Sequence, residues 1–240
     1  MIRWRQYENT WSIWPPNPIG LVEVIGGSYF SASPQISYKN LLEGLSAQNF
    51  AIHAWSYLPG LDHQSLANTA WKELRYCRQI LNERLQRDIS VLRLGHSLGC
   101  KLQLLAPDGG RNCDGVISIS FNNFSAIKSI PLINKITPKL GIKSEFKPSP
   151  NETIEIIGSN YLQKKNLIIN YSNDRFDESN LLIEILKRRI NDESENISIR
   201  GDHLTPISTG FRRKLLGNLS NTAVKNRNIN DLIKIITKWN

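Results

Sequence analysis

The sequence predicts an α/β fold in which a mostly parallel sheet is covered by helices on both faces. Short runs rich in β-branched residues alternate along the chain with amphipathic segments of helical period, the pattern of repeated strand–helix–strand units. One alternation is abrupt: in "VLRLGHSLGCKL" (91–102) an apolar run ends at Gly95 and helical spacing resumes within a few residues. The 240 residues are enough for one sizeable domain with a single core.

In chain order, residues 1–20, "MIRWRQYENTWSIWPPNPIG", are Trp-rich and broken by prolines, and are read as a lead-in packed on the domain. They hold no apolar core followed by a cleavage site of the kind a secretory signal needs. "LVEVIGG" (21–27) reads as a strand ending in glycines, "SYKNLLEGLSAQ" as a helix and "NFAIHAWSY" as a second strand. "SLANTAWKELRYCRQILNERLQR" puts Leu66, Ala70, Leu74, Cys77, Leu81 and Leu85 on one helical face. "ISVLRL" (89–94), "GVISIS" (115–120), "NLIINYS" (166–172) and "ENISIR" (195–200) complete the strands, with "SNLLIEILKRRI" a helix before the last. Residues 121–165, punctuated by Pro and Ser and offering short helical pieces, read as an insertion over the carboxyl edge of the sheet, a lid. Residues 217–240 form a basic helical tail, so the chain reads as one domain, 1–240.

The net charge is +9, but the basic residues gather late and are not interleaved with aromatics, and no nucleic-acid-binding signature is present. They read as solvated surface. In the tail, Ile229, Leu232, Ile236 and Trp239 make an apolar stripe with Lys234 and Lys238 nearby. Docking on the domain is one reading of that stripe; peripheral contact with an anionic membrane is the other. No stretch is apolar over the roughly 20 residues a spanning helix requires. Cys77, Cys100 and Cys113 have no partner at metal-ligand spacing and read as reduced, structural thiols, in keeping with a cytoplasmic protein. No cofactor or metal is implied.

Gly95-His96-Ser97-Leu98-Gly99 matches G-x-S-x-G in the context that gives the motif meaning, a strand before and a helix after. A strand turning directly into a helix forces the central residue to positive φ and leaves no room for bulk two positions either side. The serine is thereby held above the sheet at a helix N-terminus, where the Leu98 N–H faces any developing negative charge. An activated serine needs a base, and the base an orienting carboxylate. Of four histidines, His96 lies inside the elbow and His53 in a buried-strand pattern, while His63 is in a loop able to line a pocket. His203, in "RGDHLTPIS", alone follows both other partners in the order Ser, acid, His. Asp174 and Asp177 both lie just past a strand; Asp174 is nearer its end, and Asp177 is also placed to cap the next helix. Asp202, beside His203, is a third option for the acid and reads as shaping the histidine loop. A second amide donor is expected after "VIGG", from Ser28 or Tyr29.

The segments "IGGSYF", "GHSLG", "NDRFD" and "GDHLTP" resemble the α/β-hydrolase superfamily over residues 20–216. The longer stretches "IGGSYFSASPQISY", "AIHAWSYLPGLDHQ", "LGHSLGCKLQLLAPDGGRN", "SFNNFSA" and "GDHLTPIS" resemble a branch catalogued as a domain of unknown function and found in photosynthetic lineages, plastid proteins included. The resemblance implies Ser97 as nucleophile, His203 as base, Asp174 as acid, and the amides of Leu98 and Ser28 as oxyanion donors. The chain departs from the superfamily at Ile25-Gly26, where His-Gly is common. The expected function is hydrolysis of a carboxylic ester or thioester with an apolar portion, through an acyl-enzyme. The apolar portion is expected from Phe121, Phe124, Ile127, Ile130, Leu132 and Ile133 in the insertion. The alternative is an inactive scaffold that binds through the same fold.

Overall fold

The computed structural model describes residues 3–129, 145–208 and 222–239. Eight strands form one sheet: β1 (Arg5–Tyr7), β2 (Thr10–Ile13), β3 (Gly20–Ile25), β4 (Phe50–Trp55), β5 (Val91–His96), β6 (Gly115–Ile119), β7 (Asn166–Tyr171) and β8 (Glu195–Ile199). Their spatial order is β1-β2-β4-β3-β5-β6-β7-β8, parallel from β4 to β8, with β1 and β2 antiparallel at one edge. Every residue of β3, β4 and β5 is buried, as expected of parallel strands covered on both faces, whereas edge strand β8 is half open. The chain steps from β3 to β4 on one side and then to β5 on the other. That reversal opens a crevice at the carboxyl ends of β3 and β5.

The helices are α1 (Pro34–Ser37), α2 (Lys39–Ala47), α3 (His63–Leu85), α4 (Leu98–Leu104), α5 (Ala126–Ser129), α6 (Pro150–Asn160), α7 (Ser179–Lys187) and α8 (Thr222–Trp239). Asp62 caps α3 by accepting from the Ser65 N–H at 2.8 Å, and Gln86 ends it in the left-handed conformation at φ 53°. Its buried face begins at His63 and Ala67, with Leu66 half-buried at the margin, so the apolar stripe starts one residue off the expected register. Among the described residues no helix is long and apolar enough to cross a membrane.

Two segments carry more structure than their sequences announce. The first 20 residues supply β1, β2 and the start of β3, because Trp11, Ser12 and Ile13 find ladder partners in Ala54, His53 and Ile52. Within 121–165, read as short helical pieces only, the eleven-residue α6 is nucleated by a capping box. Ser149 accepts from Glu152 N–H while Glu152 accepts from Ser149 N–H. The tail helix α8 docks: Ile229, Leu232, Ile233 and Ile236 enter the same core cluster as Leu41, Leu42 and Leu45 of α2. Gly44 of α2 makes room for it, since a Cβ there would overlap Ile233.

A buried charge network ties the middle of the sheet to its cover. Glu23 of β3 pairs with Arg78 of α3 at 2.7 Å and with Arg93 of β5 at 3.6 Å, and Arg93 pairs with Asp108 at 2.7 Å. Burial would raise the Glu23 carboxyl, but Arg78 and then Arg93 outweigh it and hold it below the usual range; Asp108 is lowered likewise by Arg93. Arg93→Met leaves Glu23 with one cation and Asp108 with none. It is expected to cost about 3–5 kcal/mol, read as a lowered urea midpoint at pH 7.

Candidate active site

The register of the parallel strands decides which loops meet. Ile25 pairs with Gly95, His96 with Ile119, Ile119 with Ile169 and Tyr171 with Ile199, so five strand ends lie in a row. Ser97 directly follows β5; Ser28, Asn122 and Asp174 each sit three residues past β3, β6 and β7; His203 sits four past β8. With strands about 4.8 Å apart, the loop after β8 must reach back roughly 14 Å across β7 and β6 to arrive above Ser97. It does so under several ties. Ile207 is buried in the core, Ser208 N–H donates to Ser37 O at 2.7 Å, and Asn173 N–H donates to Gly201 O at 3.1 Å.

Ser97 has φ 55° and ψ −121°, a strained backbone state for a residue with a side chain. The two glycines around it are steric necessities. A Cβ on Gly99 would overlap the Ile25 carbonyl, and one on Gly95 would stand 2.5 Å from the backbone N of Cys100. Opposite, the loop after β3 passes close over the serine: a Cβ on Gly27 would lie 3.2 Å from Ser97 Cβ and 3.6 Å from its Oγ.

The three side chains singled out by sequence order lie together. His203 Nε2 is 3.0 Å from Ser97 Oγ, and His203 Nδ1 is 2.8 Å from Asp174 Oδ2. The Asp174 side chain is fully buried. Burial would raise its carboxyl, but the hydrogen bond and charge of His203, with help from Ser120 and the Phe176 N–H, hold it below the ordinary range. Asp177 turns away instead. Its Oδ1 accepts from the N–H and hydroxyl of Ser179 at the start of α7, and burial pushes its carboxyl up. Asp202 shapes the histidine loop by accepting from Leu204 N–H at 3.0 Å. His53 is a core residue, accepting from Trp14 Nε1 at 3.0 Å.

Two contacts went unread in the sequence. Asn122, from "SFNNFSA", donates through Nδ2 to Ser97 Oγ at 2.8 Å. A hydrogen-bonded chain also runs beneath the site. Gly27 N–H donates to Tyr38 Oη at 2.7 Å, Tyr38 Oη is 2.8 Å from His96 Nδ1, and His96 Nε2 is 2.9 Å from the carbonyl oxygen of His203. That carbonyl can only accept, so His96 carries its proton on Nε2 and Tyr38 donates to Nδ1. Burial raises the Tyr38 phenol well above its usual range and keeps it a donor. The chain fastens the loop after β3 to the loop after β8 through the residue next to Ser97.

Beside the serine lies a cavity of about 340 Å³, flanked by Ser28, Leu98 and Asn122 and walled by Leu61, Phe124 and Phe146. Of the apolar insertion residues, Phe124 faces this cavity while Phe121 is packed in the core. The side chain of Ile127 and residues Ile130, Leu132 and Ile133 lie outside the described residues.

A family model described as a protein of unknown function, DUF1350, matches residues 3–230. The chain belongs to the DUF1350 family. No curated protein matches it. Among solved structures, it is similar to an esterase domain from Rhodothermus marinus, at 15% identity and a TM-score of 0.59 over 100% of this chain and 97% of that one. It is also similar to a monoacylglycerol lipase from Paleococcus ferrophilus, at 12% identity and a TM-score of 0.58 over 96% and 98% of the two chains. A third is the fluorophosphonate-binding serine hydrolase F of Staphylococcus aureus, at 14% identity and a TM-score of 0.59 over 99% and 97%. The architecture of this DUF1350 member is therefore that of an α/β-hydrolase. Because Gly99 has no space for a side chain, Gly99→Ala is expected to lower stability by at least about 3 kcal/mol, measured by thermal unfolding followed by circular dichroism.

Proposed function

We propose that the protein is a serine hydrolase of carboxylic esters or thioesters. The observation that carries the reading is the hydrogen-bonded row Ser97 Oγ, His203 Nε2, His203 Nδ1 and Asp174 Oδ2, at 3.0 and 2.8 Å. In the reaction, Ser97 Oγ attacks the acyl carbon while its proton passes to His203 Nε2. Asp174 holds the ring so that Nε2 faces the serine, and balances the imidazolium charge that forms. Collapse of the tetrahedral species expels the alkoxide or thiolate, which takes the proton from His203, and leaves an acyl-Ser97 ester. Water, deprotonated by His203, then attacks that ester and releases the acid.

Negative charge on the carbonyl oxygen is met by the amides of Leu98 and Ser28. Neither is spent on another hydrogen bond among the described residues, whereas the Gly27 N–H is committed to Tyr38. The helix N-terminus at Leu98 adds its dipole. Asn122 Nδ2 donates to the serine oxygen and keeps it aimed. Within residues 121–129 and 145–165, Phe124, Ser129 and Phe146 wall the cavity, and the apolar walls favour a substrate with an apolar portion.

A fluorophosphonate probe is expected to label the protein, and Ser97→Ala to abolish labelling; a folded, unlabelled native protein overturns the reading. In hydrolysis of p-nitrophenyl esters, His203→Ala is expected to lower kcat about 10³-fold or more. Asp174→Asn should lower it steeply while Asp177→Asn stays within about threefold, because only Asp174 touches the imidazole. Asn122→Leu is expected to slow labelling about 10- to 100-fold with little change in melting temperature.

A further inference from the structure

The cavity beside Ser97 is apolar along its walls but not at one end. Lys101, one helical turn beyond the serine on α4 and so about 6 Å further along the axis, is almost wholly buried yet lines it. Among the described residues its Nζ makes one hydrogen bond, to Pro148 O at 3.2 Å, and lies 5.7 Å from the centre of the Phe146 ring. None of the ion pairs among the described residues includes Lys101. His63 lines the same end, stacked on Phe146 at 4.1 Å, and although it is 98% buried neither of its ring nitrogens has a partner among the described residues. The charged group at this end of the cavity is therefore the Lys101 ammonium, and an ammonium beside an apolar space is a place for a ligand's anionic group.

Resting on the hydrolase reading, we propose that this end of the cavity is an anion subsite, and that the portion of the substrate entering it ends in a carboxylate. Lys101 offers its remaining ammonium hydrogens, donors that suit the oxygens of a carboxylate. A single ammonium matches a monoanion; a phosphate dianion would leave net charge in an apolar pocket. The acidic groups facing Lys101 do not fill the role. Glu145 accepts from the N–H groups of Ala126 and Phe146, Glu178 from Asn123 N–H, and Glu152 from Ser149 N–H. Burial outweighs these three carboxylates and brings Lys101 down to about 8; burial and Lys101 bring His63 down to about 3, so that imidazole stays neutral. The ammonium is therefore present below about pH 8 and lost above it, and the subsite should follow.

The test compares p-nitrophenyl half-esters of aliphatic dicarboxylic acids with methyl-terminated esters of equal length. At pH 7 the native protein is expected to favour the half-esters about tenfold or more in kcat/KM, the scale of one charge-assisted hydrogen bond. Lys101→Met should raise KM for the half-ester by that factor and leave the neutral ester within about twofold. In the native protein the preference should also fade as pH rises through about 8. No preference, or one that survives Lys101→Met, overturns the subsite while hydrolysis of the neutral ester keeps the hydrolase reading. If neither ester turns over, the hydrolase reading fails and the subsite is judged by calorimetry. A dicarboxylic acid monomethyl ester must then bind folded Ser97→Ala protein and lose about tenfold affinity on adding Lys101→Met; equal affinity overturns it. Should Lys101→Met fail to fold, Lys101→Gln serves in both assays.

Discussion

The backbone at Ser97 stands at φ 55°, and the rest of the crevice is arranged so that it has no alternative. An isolated chain would relax such a residue and gain about 1–3 kcal/mol. Here α4 starts at Leu98, its first turn is pressed against the end of β3 so closely that Gly99 touches the Ile25 carbonyl, and Ser97 N–H is already bonded to Ile119 O at 2.9 Å. Relaxing the bend would lift α4 off β3 and β5. It would also drag Leu98 and Leu102 out of a core cluster that includes Ile25 and Trp55. The stress at one residue is therefore underwritten by burial spread over many, which is how a hydroxyl is held beside a cavity at the end of a fully buried strand.

Much of this was readable because local steric and periodic rules are strict. The G-x-S-x-G pattern between strand and helix signals, the continuous apolar runs of β3 and β5, and the Ser–acid–His order each have a one-dimensional signature. The distances among Ser97, His203 and Asp174 are a matter of three dimensions, and the choice between Asp174 and Asp177 depended on which carboxylate the turn at Ser179 would claim. Asn122 and Tyr38 left no signal: each is a polar residue in an ordinary context, made relevant by strands pairing dozens of residues away. Strands β1 and β2 were hidden for a similar reason, since a Trp- and Pro-rich segment becomes a strand only when an edge such as β4 is waiting.

The chain from Gly27 through Tyr38 and His96 to the His203 carbonyl links two loops that arrive from opposite ends of the sequence. Neither loop is held by strand pairing at the point of contact. The loop after β8 in particular leaves a half-exposed edge strand and travels far before it meets Ser97. A buried imidazole with one proton and two fixed partners sets the position of the His203 backbone, and the backbone in turn limits where the His203 ring can stand. His96 thus has a structural use in the elbow, its ring centre 5.1 Å from that of His203.

The same economy makes Lys101 conspicuous. The other buried cation close to the sheet centre, Arg93, is met by Glu23 and Asp108, and its neighbour Arg78 by Glu23. Where charge serves the fold, then, this protein pairs it. Lys101 has a carbonyl and an aromatic face instead, beside a cavity and an imidazole unpartnered among the described residues. A methionine of similar length would pack there without a desolvation penalty. Among the described residues that ammonium forms no ion pair, and a bound anionic group is what would offset its desolvation.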